Sequence, residues 1–401
     1  MAVMADSQIR VGVDVGSESH HVGIACPEGS IIEEFDITHD QDGFGEFFDR
    51  IERRRNGSSS PVAVAMESYN GHSRPLDQMV QDRGYALYNV NNLKLARFKE
   101  VFPGAAKTDP IDTKKILELF HLQEHLPVAK NVLQLVPKAP EENRMLKRIS
   151  RRRKQLVDEK VRVENRLHSD LSAVCPGLSS ITGSVDNLWF LRFLSSRKEL
   201  RKLAGVRYDS LLSISGVGKK YAQMIQEWQK QAKFSDEVDY VGPMIISDAS
   251  RLLEIKEQIA DLEKAMKSLA EKSELARLIG SIPGFGQVSA AELAGEIGTM
   301  DRFDSEAGLA LYIGMCPLDN QSGKFKGSKA PRHVNRRGKT AMMTAVAQHV
   351  KCVPQSKAYY DKKREEGKRH NQAVRCMGRH LVRVIWSMIE HGREYELREN
   401  T

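Results

Sequence analysis

Ile9-Arg10-Val11-Gly12-Val13-Asp14-Val15 decides how the first part of the chain folds. The run alternates and is rich in Val, whose β-branch suits a pleated strand. Gly16-Ser17-Glu18-Ser19 reads as a turn and His21 to Ala25 as a second strand. Glu28-Gly29 then turns the chain into a third strand, Ile31 to Phe35. Three consecutive antiparallel strands therefore open the chain. Beyond them, helix and strand alternate: a helix from Asp42 to Arg55, a short apolar strand from Pro61 to Met66, a helix from Arg74 to Arg83, a strand from Tyr85 to Val90 and a helix from Asn92 to Phe102. Alternation after an antiparallel start predicts an α/β layer fold.

The acids fall at particular places in that pattern. Asp14 sits mid-strand between two valines, where a lone carboxylate is costly to bury unless it is paired, hydrogen-bonded or bound to metal. Glu67 ends the fourth strand. In Lys107-Thr108-Asp109-Pro110-Ile111-Asp112, Asp109 suits a helix N-cap, Pro110 the first helical position and Asp112 the third. A spacing of three puts both acids on one helix face. Each has a plain structural reading: Asp109 to Asp112 is a sound cap without chemistry, and Glu67 can end a turn. Taken together, in this order, they have the layout of RNase H-like and RuvC-like nucleases, whose carboxylates gather at one sheet edge around divalent ions. Oxygen-only ligation favours Mg²⁺ or Mn²⁺ over zinc. No other cofactor is indicated: no G-x-x-x-x-G-K-S/T phosphate loop is present.

At 401 residues the chain is well beyond the ~150 of a typical domain. We expect an α/β domain over 8–128, a helical coiled-coil region over 140–275 and a mostly α domain over 276–395. A net charge of +8 and a pI near 9.1, clustered in strips, favour a polyanionic partner. The five cysteines are scattered and form no C-x-x-C pair, so neither a disulfide framework nor a zinc site is expected, which suits a reducing cytoplasm. The first residues are too polar for a signal peptide, and no apolar run is long enough for a membrane span.

From Glu141 to Leu171 the text is polar and helical. Arg144 to Arg162 holds nine Lys or Arg against two acids, and Leu146, Ile149, Leu156, Val161 and Leu167 form a thin apolar stripe. Ser250 to Glu274 is a second such helix, and the two are expected to pair. Arg151, Arg152 and Arg153 are candidates for nucleic-acid contact, against the alternative of a solvated helix face. Between the long helices, Cys175 to Tyr240 is less regular. One internal echo stands out: Leu212-Ser-Ile-Ser-Gly-Val-Gly-Lys-Lys220 resembles Gly280-Ser-Ile-Pro-Gly-Phe-Gly-Gln-Val288. Both read as helix-hairpin-helix-like elements, able to hold a phosphate on backbone N–H groups or simply needing Gly for the turn. The second copy is the stronger candidate for binding.

Late in the chain, Gln321 to Thr340 carries seven Lys or Arg and no acid. Its head, Asn320-Gln321-Ser322-Gly323-Lys324-Phe325-Lys326-Gly327-Ser328-Lys329, reads as a glycine-hinged loop with a serine near its start. Such a serine could attack a phosphodiester while Lys324, Lys326, Lys329, Arg336, Arg337 and Lys339 neutralise phosphate charge. A solvated basic loop is the bland alternative.

Val11-Gly-Val-Asp14, Met66-Glu67-Ser68, Lys107-Thr-Asp109-Pro-Ile-Asp112, Ile282-Pro-Gly-Phe-Gly286, Tyr312-Ile-Gly-Met-Cys-Pro317, Ser322-Gly323 and Asn335-Arg-Arg-Gly-Lys339, in this order, resemble the transposases of the insertion sequence 110 and 1111 family. The resemblance covers roughly 9–125 and 275–390. It implies a RuvC-like domain with Asp14, Glu67, Asp109 and Asp112 as its four metal-binding acids, and a C-terminal transposase domain whose nucleophile is Ser322. Here Gln321 and Lys324 flank the Ser-Gly pair, where the family often has further serines or glycines, so Ser328 is a rival. The resemblance further implies strand cutting and rejoining through a covalent serine-DNA link, guidance by a structured bridge RNA, a bacterial cytoplasmic setting, and a homo-oligomer, dimer to tetramer, in which an acidic site of one subunit meets the serine of another. Two other readings compete: a metal-dependent RuvC-like nuclease in which water attacks, and a non-catalytic nucleic-acid-binding protein with structural acids.

Overall fold

The computed structural model describes residues 8–26, 30–67, 72–90, 109–125, 132–322, 325–329, 331 and 334–397. The expected helix at 92–102, Lys324 and the side chains of Asp109, Lys326 and Ser328 lie outside the described residues. The chain forms two compact units, 1–138 and 139–401.

The first unit is built on β1 (Ile9–Val15), β2 (Ser19–Ala25), β3 (Ile31–Thr38), β4 (Val62–Met66), β5 (Ala86–Val90) and β6 (Leu133–Leu135). They form one six-stranded sheet in the order β3-β2-β1-β4-β5-β6. β1 to β3 are antiparallel neighbours, β4 and β5 run parallel to β1, and β6 returns antiparallel to β5. Helices α1 (Gln41–Arg55) and α2 (Leu76–Asp82) cover one face, and α3 (Asp109–His125) the other. Alternation along β1 and β4 sorts the side chains. Val11, Val13, Val64 and Met66 pack with Phe44, Phe47, Phe48 and Leu76. Ala63 and Ala65 face Ile116, Leu119 and Phe120 of α3. α1 is capped by Asp40, whose Oδ1 accepts from Gly43 N at 2.8 Å.

α3 lies close over the sheet because two glycines give it room. A Cβ at Gly12 would stand 3.2 Å from Leu117 Cγ, and one at Gly23 only 2.7 Å from Thr113 Cγ2. Gly12 and Gly23 face each other across β1 and β2. The face that carries them, two residues along, carries Asp14.

The second unit is mostly helical. α4 (Glu141–Val174) is followed by α5 (Leu188–Leu194), α6 (Tyr208–Leu212), α7 (Lys219–Gln231) and α8 (Val238–Lys272). α4 and α8 pair antiparallel within the chain, stitched by Arg153–Glu263, Arg251–Glu159 and Arg166–Asp248 ion pairs. The buried stripe of α4 is Leu146, Leu156, Val163, Leu167 and Leu171; Val161, expected on it, faces solvent. The stretch from 175 to 240, less regular in sequence, is packed. Its short helices bury Trp189, Phe190, Phe193 and Trp228 against one end of the helix pair, the C-terminal half of α4 and the N-terminal half of α8. Leu146 and Met266, near the other end of the pair, join a separate core. That core is built from α9 (Glu274–Gly280), α10 (Gln287–Ile297), α11 (Glu306–Tyr312), α12 (Arg336–Cys352) and α14 (His370–Glu390), with α13 (Pro354–Glu365) between the last two.

The expected serine loop is instead a two-stranded antiparallel hairpin, β7 (Leu318–Ser322) and β8 (Phe325–Lys329). β7 is exposed at every residue, so its sequence has no apolar alternation from which to read a strand. No helix among the described residues is long and apolar enough to cross a membrane.

Candidate active site

Each unit holds one group of the expected site residues. In the first, strand register does the placing. β1 and β4 run parallel with Val13 beside Met66, and Glu67 N donates to Val13 O at 3.3 Å. The next residues, Asp14 and Glu67, thus stand at the carboxyl ends of adjacent central strands, about 4.8 Å apart in backbone. Both belong to the face covered by α3, Asp14 by parity with Gly12 and Glu67 by parity with Ala63 and Ala65. α3 begins at Asp109 and carries Asp112, which is buried, next to Thr113, which fills the gap left by Gly23. The described acids are therefore gathered at one end of one sheet face.

The donor chemistry of this set, all hard oxygen, fits Mg²⁺ or Mn²⁺. Among the described residues no three His, Cys, Asp or Glu side chains already converge on one metal position. The backbone register sets the Asp14 and Glu67 pair.

In the second unit, Ser322 is exposed and pairs with Phe325 at the turn end of the hairpin. Ser328 pairs with Asp319, three pairs further along the ladder, or about 10 Å at strand rise. The turn position belongs to Ser322. Lys329 is exposed at the far end.

After the hairpin in the chain, the start of α12 is fixed by a network that sequence reasoning missed. Asn335 caps the helix, its Oδ1 accepting from Arg337 N at 3.1 Å and Gly338 N at 2.9 Å. Its Nδ2 donates to Glu296 Oε2 and to the Tyr312 hydroxyl, both at 2.7 Å. Glu296 is fully buried and also takes a bidentate pair from Arg151, at 2.7 and 2.8 Å. Burial works to raise the Glu296 carboxyl; the Arg151 and Asn335 hydrogen bonds overcome it and hold the group below its ordinary value. One turn earlier, burial and the Glu296 charge push Glu292 up. The network presents Arg336 to solvent and leaves Arg337 and Lys339 half-buried. It also gives Arg151 a structural task, and Arg153 is held by Glu263 at 2.7 Å, while Arg152 is exposed. Of the three arginines, Arg152 is the one presented outward. Glu296 was hard to find in the sequence, since its partners lie 145 and 39 residues away.

The two glycine hairpins share a backbone pattern. Val217 N donates to Ile214 O and Phe285 N to Ile282 O, both at 2.9 Å. Gly216 and Gly284 both have positive φ, 90° and 86°. Their surroundings differ. A Cβ at Gly284 would stand 2.4 Å from His349 N, so this hairpin is clasped against α12. Packing thus accounts for the second copy's glycine, whereas Gly218, Lys219 and Lys220 of the first are exposed.

Comparison with known proteins finds two matching stretches, the first of which runs past the first unit to the end of α4. Residues 11–176 match a family model described as Transposase, and residues 276–361 one described as Transposase IS116/IS110/IS902 family. The 43.6 kDa protein of insertion element IS110 from Streptomyces coelicolor is 27% identical, covering 98% of this chain and 96% of its own. The transposase for insertion sequence element IS1328 of Yersinia enterocolitica is 21% identical over 95% of this chain and 97% of its own. The pilin gene-inverting protein of Moraxella bovis is 24% identical over 60% of this chain and 75% of its own. The chain is thus an enzyme of DNA transposition and recombination. It belongs to the IS116/IS110/IS902 family of transposases.

Proposed function

We propose that this transposase cuts and rejoins DNA strands through a covalent link between Ser322 and DNA, with Asp14, Glu67, Asp109 and Asp112 holding Mg²⁺. The observation that carries the reading is the register of β1 and β4, which sets Asp14 and Glu67 side by side at the carboxyl ends of central parallel strands. The strand order and directions of the sheet support an RNase H-like, RuvC-like first unit.

Ser322 Oγ attacks the scissile phosphorus and the 3′ or 5′ oxygen of the broken strand leaves. Asp14, Glu67, Asp109 and Asp112 would hold the ion, which would supply Lewis-acid polarisation of the phosphate and ease loss of the serine's proton. Lys324, Lys326, Lys329, Arg336, Arg337 and Lys339 neutralise backbone phosphates around the break. Because the phosphoester to serine conserves bond energy, rejoining needs no nucleotide triphosphate. Partners on this reading are donor and target DNA and a structured bridge RNA, with the protein a homo-oligomer, dimer to tetramer. Arg152 is the exposed candidate for RNA on α4. The five free thiols suit the reducing bacterial cytoplasm.

The test is to incubate the protein with Mg²⁺, its guide RNA and donor and target DNA, denature, and map DNA-linked peptides by mass. The expected adduct is on Ser322 and is lost in Ser322→Ala. An adduct on Ser328 moves the nucleophile. Cleaved DNA without adduct replaces the serine mechanism by water attack in a metal-dependent nuclease. Binding without cleavage, in every condition, leaves a nucleic-acid-binding protein.

A further inference from the structure

The row of side chains that begins at Glu67 continues past Asp14. β1 and β2 pair with Asp14 opposite His21, and β2 and β3 pair with His21 opposite Asp36. Directly opposite residues share a sheet face, with Cβ atoms about 5 Å apart. Glu67, Asp14, His21 and Asp36 therefore form a line across four neighbouring strands, on the face that α3 covers. The adjacent His20 points the other way, where it is buried against His39 and Phe44.

His21 is held in place on that line. Its Nδ1 lies 2.7 Å from Asp36 Oδ1, its backbone carbonyl accepts from Thr113 Oγ1 at 3.5 Å, and its side chain is only 10% exposed. Its Nε2 is buried and has no hydrogen-bond partner among the described residues. A buried polar atom in that condition is destabilising, a cost that ligation would offset. A carboxylate that takes the proton-bearing Nδ1 leaves the lone pair on Nε2. That carboxylate–imidazole pairing is how metal-bound histidines are ordinarily oriented.

We propose that His21 is a nitrogen ligand for the divalent ion held by Asp14 and Glu67, and that Asp36 keeps it in the ligating tautomer. The proposal rests on the carboxylate reading above and adds a donor of a different chemical kind. Imidazole is a softer donor than carboxylate, so the site takes Mn²⁺ more tightly than Mg²⁺.

Mn²⁺ titrated into the full-length protein without nucleic acid tests this directly. Pulsed electron paramagnetic resonance of the bound ion reads nitrogen coupling, and calorimetry reads affinity. The expected result is ¹⁴N coupling in the wild type, absent in His21→Ala, with Mn²⁺ affinity down ~10–100-fold. Asp36→Ala changes an exposed carboxylate, so folding is not at issue; it should weaken Mn²⁺ by ~10-fold. Binding that depends on Asp14 but shows no nitrogen coupling, or coupling that survives His21→Ala, overturns the nitrogen ligand and leaves the carboxylate site standing. No Mn²⁺ binding, or binding indifferent to Asp14→Ala, overturns both.

Discussion

Asp14 and Glu67 end two central strands, with neighbours on either side and a helix over their face, whereas Ser322 ends a two-stranded ribbon whose first strand is exposed throughout. The acids are positioned by the whole first unit: register fixes their row, strand parity their face, and two glycines the helix above them. The serine is positioned by five paired residues, and an isolated two-stranded ribbon is marginal in water. Preorganisation therefore lies on the acidic side. On the serine side, the buried network centred on Glu296 fixes the start of α12, the helix that follows the ribbon in the chain.

That contrast can be broken, or sharpened, in several places. The largest effect is on activity: Asp14→Ala should lower strand transfer by at least ~10²–10³-fold while filter binding of DNA and RNA persists. Loss of nucleic-acid binding along with transfer would make Asp14 a folding residue. Next is Glu296→Ala, which strands a bidentate arginine and a helix cap. It should cost ~3–5 kcal/mol in chemical denaturation of the second unit, with the transition of the first unchanged. A cost under 1 kcal/mol would mean that other contacts hold the start of α12.

A pH effect comes third and belongs to the first unit. Burial, then the neighbouring His39 and His72 charges, lowers the pKa of His20 from 6.5 to about 4. Between those values the unfolded chain binds more protons than the folded one, so stability is full above 6.5 and falls as pH drops toward 4. The loss should reach at most ~3 kcal/mol, read as the urea midpoint of the first unit, and His20→Gln should flatten it. Fourth, Gly23→Ala forces a methyl onto Thr113 and should cost ~1–3 kcal/mol, together with a drop in Mn²⁺ affinity. The smallest effect is expected on the ribbon. Asp319→Ala, on an exposed strand, should change stability by less than ~0.5 kcal/mol, and a larger change in thermal midpoint would show that the hairpin is not a surface feature.

The acidic half was legible because its signals are local. Val alternation marks β1, and the Pro61–Met66 run marks β4 and delivers Glu67 at its end. The ribbon was not legible, since Leu318-Asp-Asn-Gln-Ser322 buries nothing and a strand that buries nothing leaves no periodic trace. His21 was missed for a different reason. Its significance is cross-strand: nothing in Ser19-His20-His21 distinguishes the ring that faces α1 from the one that faces α3 until register is known. In the basic triple at 151–153, charge in the sequence does not reveal which guanidinium is already engaged. Glu263 and Glu296 are far along the chain. In the second glycine hairpin the turn geometry was readable, but the helix that clasps Gly284 was not.

Gly12 and Gly23 act as a gauge. Where other positions of the sheet meet a helix through side chains, these two meet α3 through missing ones, and the height of α3 above β1 and β2 is set by what is not there. A substitution at either glycine changes no charge, ligand or nucleophile; it changes an elevation. Graded residues at position 23, from Gly through Ala to Val, would thus raise the helix in steps while the chemistry stays constant, turning the spacing of the acids into an adjustable quantity.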